Sequence, residues 1–370
     1  MRGRPRLFTS YEQDSALFNS PAKKISFLLL LAGSILLPFQ VPNAIVLLFA
    51  TALVASIGAI GLNLVTGYAG QVSLGHAFFF GLGAYTAAVL AGDPEGQLVG
   101  FGLDMEIWLP AAGAVAAVAG LIVSPVAFRL RGLYLAIVTL GLVFIGEHLF
   151  RESESLTGGS GVGRAAAQPI LFGFNFTDRA QIAGVELTRS QGLYFMGLIF
   201  LIVFAFLARN LARSAVGRAF SAIRDRDLAA EAMGVSLAKN KALAFTISSF
   251  YAGIAGALLA AITGYLEPGG FNLLLSVRYI AVILIGGVAT ISGSIMGAAF
   301  VTLLPRLIQE IPRFVPVVSA SATGGFLTTQ QLEQIIYGLL IIVFLIVEPR
   351  GLFGLWVRVK NYWTRWPFSY

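Results

Sequence analysis

Apolar stretches of membrane-spanning length follow one another along almost the whole chain, and only one internal segment, Leu211–Lys241, interrupts them with dense charge. A run of about 20 apolar residues crosses the hydrocarbon core as a helix, because each backbone polar group must find its partner within the segment. The fold class follows from that pattern: an all-α polytopic membrane protein. The composition, 57% hydrophobic and 12% charged, is outside the range of soluble domains. Ten spans are expected, near 25–39, 44–65, 72–92, 108–128, 132–150, 192–210, 241–265, 275–290, 292–309 and 333–348.

Lysine and arginine orient the spans. With the N-terminus in the cytoplasm, the turn at Arg129–Arg131, the island Arg213–Lys241 and the terminal Arg350, Arg358, Lys360 and Arg365 all fall inside, as the positive-inside rule requires. The outside then receives 92–106, 151–191, 267–274 and 310–331, and the long outer loop is balanced in charge, with Arg151, Arg164, Arg179 and Arg189 against Glu152, Glu154, Asp178 and Glu186. The chain divides into a polar, basic cytoplasmic tail (1–24), a membrane-spanning body (25–349) carrying the island (211–241), and a cytoplasmic tail (350–370) whose Trp356, Tyr362, Trp363 and Trp366 suit an interfacial aromatic belt. The run Ile25–Leu37 has no small-x-small cleavage signal and further spans follow it, so it reads as a retained span rather than a cleaved leader.

Several functions are disfavoured by what the sequence lacks. It has no Cys and only two His (His76 and His148), which leaves no basis for a metal site. No catalytic group is identified: only His76 lies deep within a span, without a carboxylate in the same span, so an intramembrane enzyme lacks its acid–base pair. Few ionisable residues lie inside the spans, Arg278 and Arg306 being placed near span ends. That scarcity disfavours an ion-coupled carrier or a channel built on charged rings. No G-x-x-x-x-G-K-[ST] motif occurs, so any ATP that drives the protein is hydrolysed by another subunit, and the chain itself is expected to bind no cofactor. Gly158–Gly163 is Gly-rich but lies in the outer loop and reads as a flexible connection. The net charge of +7 reflects cytoplasmic loops and a lipid membrane, not nucleic acid.

Three segments stand out. In GLNLVTGYAGQVSLGHAFFFGLGAY (61–85), Gly and small polar residues break an apolar run. Broken helices at membrane depth are tolerated where they are buried or line a cavity. Asn63, Thr66, Gln71, Ser73 and His76 are therefore candidates for a solute pathway, with close helix packing through the glycines as the equal alternative. A second Gly-broken stretch, 286–297, contributes Thr290 and Ser292 and ends in the G-x-x-x-G of Gly293 and Gly297; its place in the second half hints at two pseudo-repeated halves with interrupted helices. The third segment is the island. Arg218, Arg224, Asp225 and Glu231 present charge, Ala219, Phe220, Ile223, Ala230 and Met233 form an apolar stripe, and Gly234 is placed to stop the helix. Its spacing fits equally a helix docked in a partner's groove and a solvated loop pairing its own charges.

Six segments in order carry a family resemblance: 61–85; RLRGLYLAIVTLG (129–141); LTGGSGVG (156–163); VGRAFSAIRDRDLAAEAMGVSLAKNKALAF (216–245); LIGGVATISGSIMGA (284–298); and EPRGLFG (348–354). Together, over about 25–355, the chain resembles the LivM-type permeases of branched-chain amino-acid ABC importers. The resemblance implies a subunit of an ATP-driven importer in the bacterial inner membrane. It implies two ABC ATPase subunits, a second permease and a periplasmic solute-binding protein as partners. It implies that Glu231, Ala232, Met233 and Gly234, with their neighbours, form the element that couples to the ATPase. The substrate class it implies is branched-chain or related neutral amino acids. The rival reading from another class is an autonomous carrier or channel for small neutral solutes.

Overall fold

The computed structural model describes residues 21–130, 132–178, 180–182, 185–308, 318–319, 327–348 and 350–365. Expectations for residues 1–20, Arg131, Arg179, most of 310–331 and Trp366 fall outside these. The described helices are α1 (Pro21–Gln40), α2 (Asn43–Asn63), α3 (His76–Ala91), α4 (Met105–Arg129), α5 (Leu133–Glu152), α6 (Arg189–Arg213), α7 (Ala215–Ala232), α8 (Leu237–Thr263), α9 (Leu273–Gly286), α10 (Ile291–Ile308), α11 (Thr329–Val347) and α12 (Gly351–Arg365). Six segments are long and apolar enough to cross a membrane: Asn43–Tyr68, Met105–Arg129, Leu133–Glu152, Arg189–Arg213, Leu237–Thr263 and Pro268–Gly286. Four apolar helices are shorter: Lys24–Gln40, His76–Ala91, Ile291–Arg306 and Gln334–Phe344.

The helices start where local chemistry supplies caps. Thr188 and Gln191 form a capping box at α6, and Thr328 and Gln331 form one at α11, so orphan backbone N–H groups of the first turn are bonded. Asn272 caps α9 by accepting from Leu275 N at 3.3 Å.

Packing centres on α8, which lies against α2, α3 and α4, while α2 also meets α6 and α10. Trp108, Phe80, Phe245, Ile57 and Leu62 are fully buried around it. Lipid tails are as apolar as these side chains, so association of the helices depends on close van der Waals fit rather than on expelling water. Glycines permit that fit. A Cβ on Gly83 of α3 lands on the Gly253 backbone of α8, and one on Gly256 lands on the Phe80 backbone.

Two sequence expectations change. The third span, placed at 72–92, is helical only from His76, because Ala69–Gly75 is irregular. The helix of the span placed at 275–290 ends at Gly286. Within the C-terminal tail, Gly351–Arg365 is helical, with Trp356 and Tyr362 exposed. Its start is pinned by the buried Glu348, whose Oε2 accepts from Arg358 Nη2 at 2.5 Å.

The long loop between α5 and α6 is ordered by its own polar bonds. Short antiparallel strand pairs join Arg164–Ala165 to Tyr265–Leu266, Ile170–Leu171 to Phe174–Asn175, and Ala180–Ile182 to Val185–Leu187. The Gly158–Gly163 stretch, expected to be flexible, turns tightly through positive φ at Gly158, Gly159, Gly161 and Gly163. Arg164, one of the four arginines counted in that loop, is only 5% exposed. It donates to the carbonyl oxygens of Leu156 (2.5 Å), Ala88 (2.6 Å) and Val99 (3.2 Å), tying the loop to the C-terminal end of α3. Burial draws its pKa below the usual arginine value, and the neighbouring Tyr85 opposes the shift. Arg164→Met leaves those carbonyls without their donor, and a cost of about 3 kcal/mol is expected. The check is trypsin or chymotrypsin digestion in detergent: cleavage within 156–176 is expected to accelerate more than tenfold, and an unchanged rate removes Arg164 as the anchor.

Candidate functional site

The two interrupted stretches meet. After α2 the chain makes one π-helical turn, Leu64–Tyr68, then runs irregularly to His76. After α9 it turns through Gly287 (φ +132°) and Ala289 (φ +58°) before α10 begins at Ile291. Asn63 joins them. Its amide nitrogen donates to Ser294 Oγ (2.7 Å), Thr290 O (3.0 Å) and Gly287 O (3.3 Å), and its Oδ1 accepts from Ala289 N at 2.8 Å. Helix breaks expose backbone groups that lipid cannot satisfy, and here one buried amide bonds several of them. Asn63 is thus committed to the fold, as is Thr290, whose Oγ1 donates to Gly287 O at 2.8 Å. Ser292 does not join them: it is exposed, on a groove beside Tyr68, Phe27 and Phe206.

The remaining first-stretch residues converge. Thr66 Oγ1 donates to Gln71 O at 3.1 Å, Gly75 N donates to Ser73 Oγ at 3.3 Å, and Leu74 N donates to Thr139 Oγ1 of α5 at 2.9 Å. His76 is buried between the rings of Tyr279 (4.9 Å between centroids) and Phe80 (5.2 Å). Among the described residues, the amide atoms of Gln71 and Nε2 of His76 are buried with no hydrogen-bond partner. Buried polar atoms without partners are costly to keep. In the set, the Gln71 amide and the Nε2 of His76 are the atoms left without a partner, although the His76 ring is also held by a backbone hydrogen bond at Gly58.

The island sits directly beneath. A cavity of about 210 Å³ is lined by Gln71, Gly70 and Gly132 on one side and by Arg224, Asp227 and Lys241 on the other. Arg224 donates to Gly67 O at 3.2 Å and to Asp225 Oδ1 at 3.1 Å, and its side chain covers Gly70, whose φ is +70°. Lys241, singled out by nothing in the sequence, is buried and pairs with Asp227 at 3.6 Å. Arg218 donates to Arg213 O at 3.1 Å near the start of α7.

The apolar stripe of α7 serves the chain itself. Phe220, Ile223 and Ala230 are buried in this protein, whereas Met233 is 86% exposed and Leu228 66%. Helical geometry breaks at Arg226 (φ −157°, ψ 103°), so the second part of α7 is redirected. The helix then closes as a Schellman motif: Gly234 N donates to Glu231 O (2.9 Å) and Val235 N to Ala230 O (3.0 Å), with Gly234 at φ +87°. Glu231, Ala232, Met233 and Gly234 form an exposed tip.

A helical body of membrane-spanning segments, with paired helix breaks packed against a charged loop helix, defines a polytopic membrane permease. Residues 44–345 match the family of branched-chain amino acid transport system permease components, and the chain belongs to that family. It is 31% identical over 350 residues to the high-affinity branched-chain amino acid transport system permease protein LivM of Escherichia coli (strain K12), covering 91% of this chain and 76% of LivM. It is 25% identical over 303 residues to LivH of the same organism, covering 80% of this chain and 90% of LivH. A shorter likeness, 32% over 119 residues, links it to the autoinducer 2 import system permease protein LsrC of Enterobacter sp. (strain 638), covering 30% of this chain and 34% of LsrC. No solved structure matches. The chain is therefore a LivM-type permease, a transport protein of the membrane, and its relatives are permeases rather than enzymes.

Proposed function

We infer that this chain is the membrane-spanning subunit of an ATP-driven importer for branched-chain amino acids, that it forms part of the solute route, and that α7 transmits the work of a separate ATPase. The observation that carries the coupling reading is the contact of Arg224 with the Gly67 carbonyl. It sets the charged loop helix directly against an interrupted membrane segment, so movement of the helix reaches the segment at Gly67 and Gly70. A ligand or partner can shift a conformation only by contacting its states differently. Glu231, Met233 and Gly234 offer the outer contact, and Arg224 and Asp225 the inner one.

On this reading the chain crosses the membrane ten times, with both termini in the cytoplasm of a bacterial inner membrane. The breaks after α2 and α9 are equivalent features of two related halves, and both lie at the cytoplasmic end. Two ATPase subunits bind below, a second permease of the LivH kind stands beside, and a periplasmic binding protein docks above. ATP is bound by the partner, and this chain holds no cofactor. Gln71 and His76, with Thr66 and Ser73 supporting them, face the moving solute.

Reversal of charge at the tip tests this. Wild-type protein, tagged and purified from mild-detergent membranes, is expected to bring down an ATPase that carries a P-loop. Glu231→Arg is expected to lose most of it, more than tenfold, with an unchanged elution volume. A wild-type protein that elutes alone and still moves neutral amino acids into liposomes is an autonomous carrier, and the importer reading then fails.

A further inference from the structure

Arg278 is the cation that the sequence placed near a span end. The segment apolar and long enough to cross a membrane runs from Pro268 to Gly286, with Arg278 near its middle and in the second turn of α9. A charge at such depth costs roughly 2.5–3.5 kcal/mol on insertion scales, so it needs a partner or a purpose. Among the described residues no carboxylate pairs with it; its one ring contact is the face of Tyr337 on α11, 5.9 Å from the centroid. Tyr337 itself is held by donating to Val301 O at 3.1 Å.

Arg278 borders a cavity of about 420 Å³ between α9 and α11, whose lining also includes Gly270 and Asn272 at the N-terminal end of α9. Asn272 is spent on the turn, donating to Gly269 O at 2.9 Å and capping α9, so that end of the lining is fixed. The lining sets the apolar Leu275, Val277, Ala281 and Ile341 beside the polar Arg278 and Gln334. No hydrogen bond engages the Gln334 amide among the described residues. Arg278 also borders a smaller cavity, about 80 Å³, that reaches Thr51 and Thr302. The next residue, Tyr279, packs a tilted ring against His76.

We propose that Arg278 is the carboxylate anchor of a solute-binding pocket between α9 and α11, taking α-amino acids with aliphatic side chains. A planar guanidinium matches a carboxylate in bidentate geometry, and does so best where water is scarce. The amide oxygen of Gln334 accepts from the ammonium group, and the apolar wall takes the aliphatic side chain. Small-molecule sites are built this way, mostly apolar with a few placed polar groups. The pocket reaches Gly270 and Asn272, at the end of α9 away from the Gly287 break, and the smaller cavity that Arg278 also borders is lined by Tyr279, which packs against His76, so the pocket forms an outer station ahead of the Gln71–His76 region. This rests on the amino-acid importer reading above.

The test uses the full-length protein, with whatever subunits co-elute, in phosphatidylcholine nanodiscs. Radiolabelled leucine, isoleucine and valine binding is measured, with leucinol, which lacks the carboxylate, as competitor. Wild type is expected to bind, with leucinol competing at least tenfold more weakly than leucine. Arg278→Gln is expected to weaken leucine at least tenfold and to erase the discrimination against leucinol, which a merely structural role does not do. Arg278→Lys is expected to keep part of both. Gln334→Leu, at an exposed position, is expected to fold whatever happens at 278 and to weaken leucine at least threefold; unchanged affinity there removes the pocket from the solute's path. If Arg278→Gln binds and discriminates as wild type does, the proposal falls and the importer reading stands. The same holds if Arg278 instead retains phosphatidylglycerol, seen by mass spectrometry as lipid lost from Arg278→Gln while leucine binding is unchanged. If wild type binds none of the three amino acids, the amino-acid reading falls and takes this proposal with it.

Discussion

Gly83→Val is expected to yield no monodisperse folded protein. α3 crosses α8 at backbone contact, with Gly83 against Gly253 and Phe80 against Gly256, and Gly253 in turn meets Ala112 and Ala116 of α4. A valine at 83 cannot be absorbed by a rotamer change, because the obstructing atoms belong to the Gly253 backbone. Modest overpacking costs about 1–3 kcal/mol, and here the helices themselves must separate, so a loss of at least ~5 kcal/mol is expected. α8 is the element most others pack against, so its displacement spreads to α2 and α4 as well. Size-exclusion profiles in detergent decide the matter: wild type in a single peak, Gly83→Val in the void volume. A Gly83→Val protein that elutes as wild type and melts within a few degrees of it contradicts the backbone-contact account.

Asn63→Leu is expected to fold but to be weakened by about 3 kcal/mol, through the loss of a four-partner amide and the orphaning of the Ala289 N–H. The other groups keep second partners: Gly287 O still accepts from Thr290 Oγ1, and Thr290 O from Ser294 Oγ. Asn63→Asp is expected to be worse despite its similar shape, because a carboxylate then faces carbonyl oxygens where an amide donated to them. Thermal melting in detergent, with ordering wild type above Leu above Asp, checks this. The order also separates hydrogen bonding from packing: were Asn63 a space-filler only, Asp would be nearly neutral.

Much of the fold was legible in the chain. Apolar length located the helices to within a few residues, and glycine and small polar residues marked both breaks. The stop at Gly234 could be read as well, since only a residue free to adopt positive φ closes a helix that way. The errors have physical causes. At 72–75 the apolar run continues, but the chain leaves the helix because Ser73 and Thr139 hydroxyls bind backbone N–H groups that an α-helix would have used. Spacing leaves the α7 stripe open between a helix docked in a partner and a solvated loop, and the structure buries Phe220, Ile223 and Ala230 within the chain, because periodicity does not report what a face packs against. Arg164 and Arg278 were counted as a loop charge and a span-end charge. Their roles depend on Ala88, Val99 and Tyr337, each more than 50 residues away in sequence.

Of the candidate pathway residues, the chain by itself identified the stretches and the structure sorted the side chains. Asn63 and Thr290 hold the two breaks together, Ser292 faces outward, and Gln71 and His76 are left with uncommitted buried atoms. The sequence by itself determined what depends on local composition: membrane-spanning helices, their approximate limits, one charged loop, the absence of a nucleotide-binding loop, and a family signature in six ordered segments. Only the tertiary structure decided which polar groups are satisfied by the fold and which are left without a partner. Hydrogen bonding and burial are properties of pairs, and the partners of Asn63, Arg224 and Arg278 come from helices that only folding brings within reach.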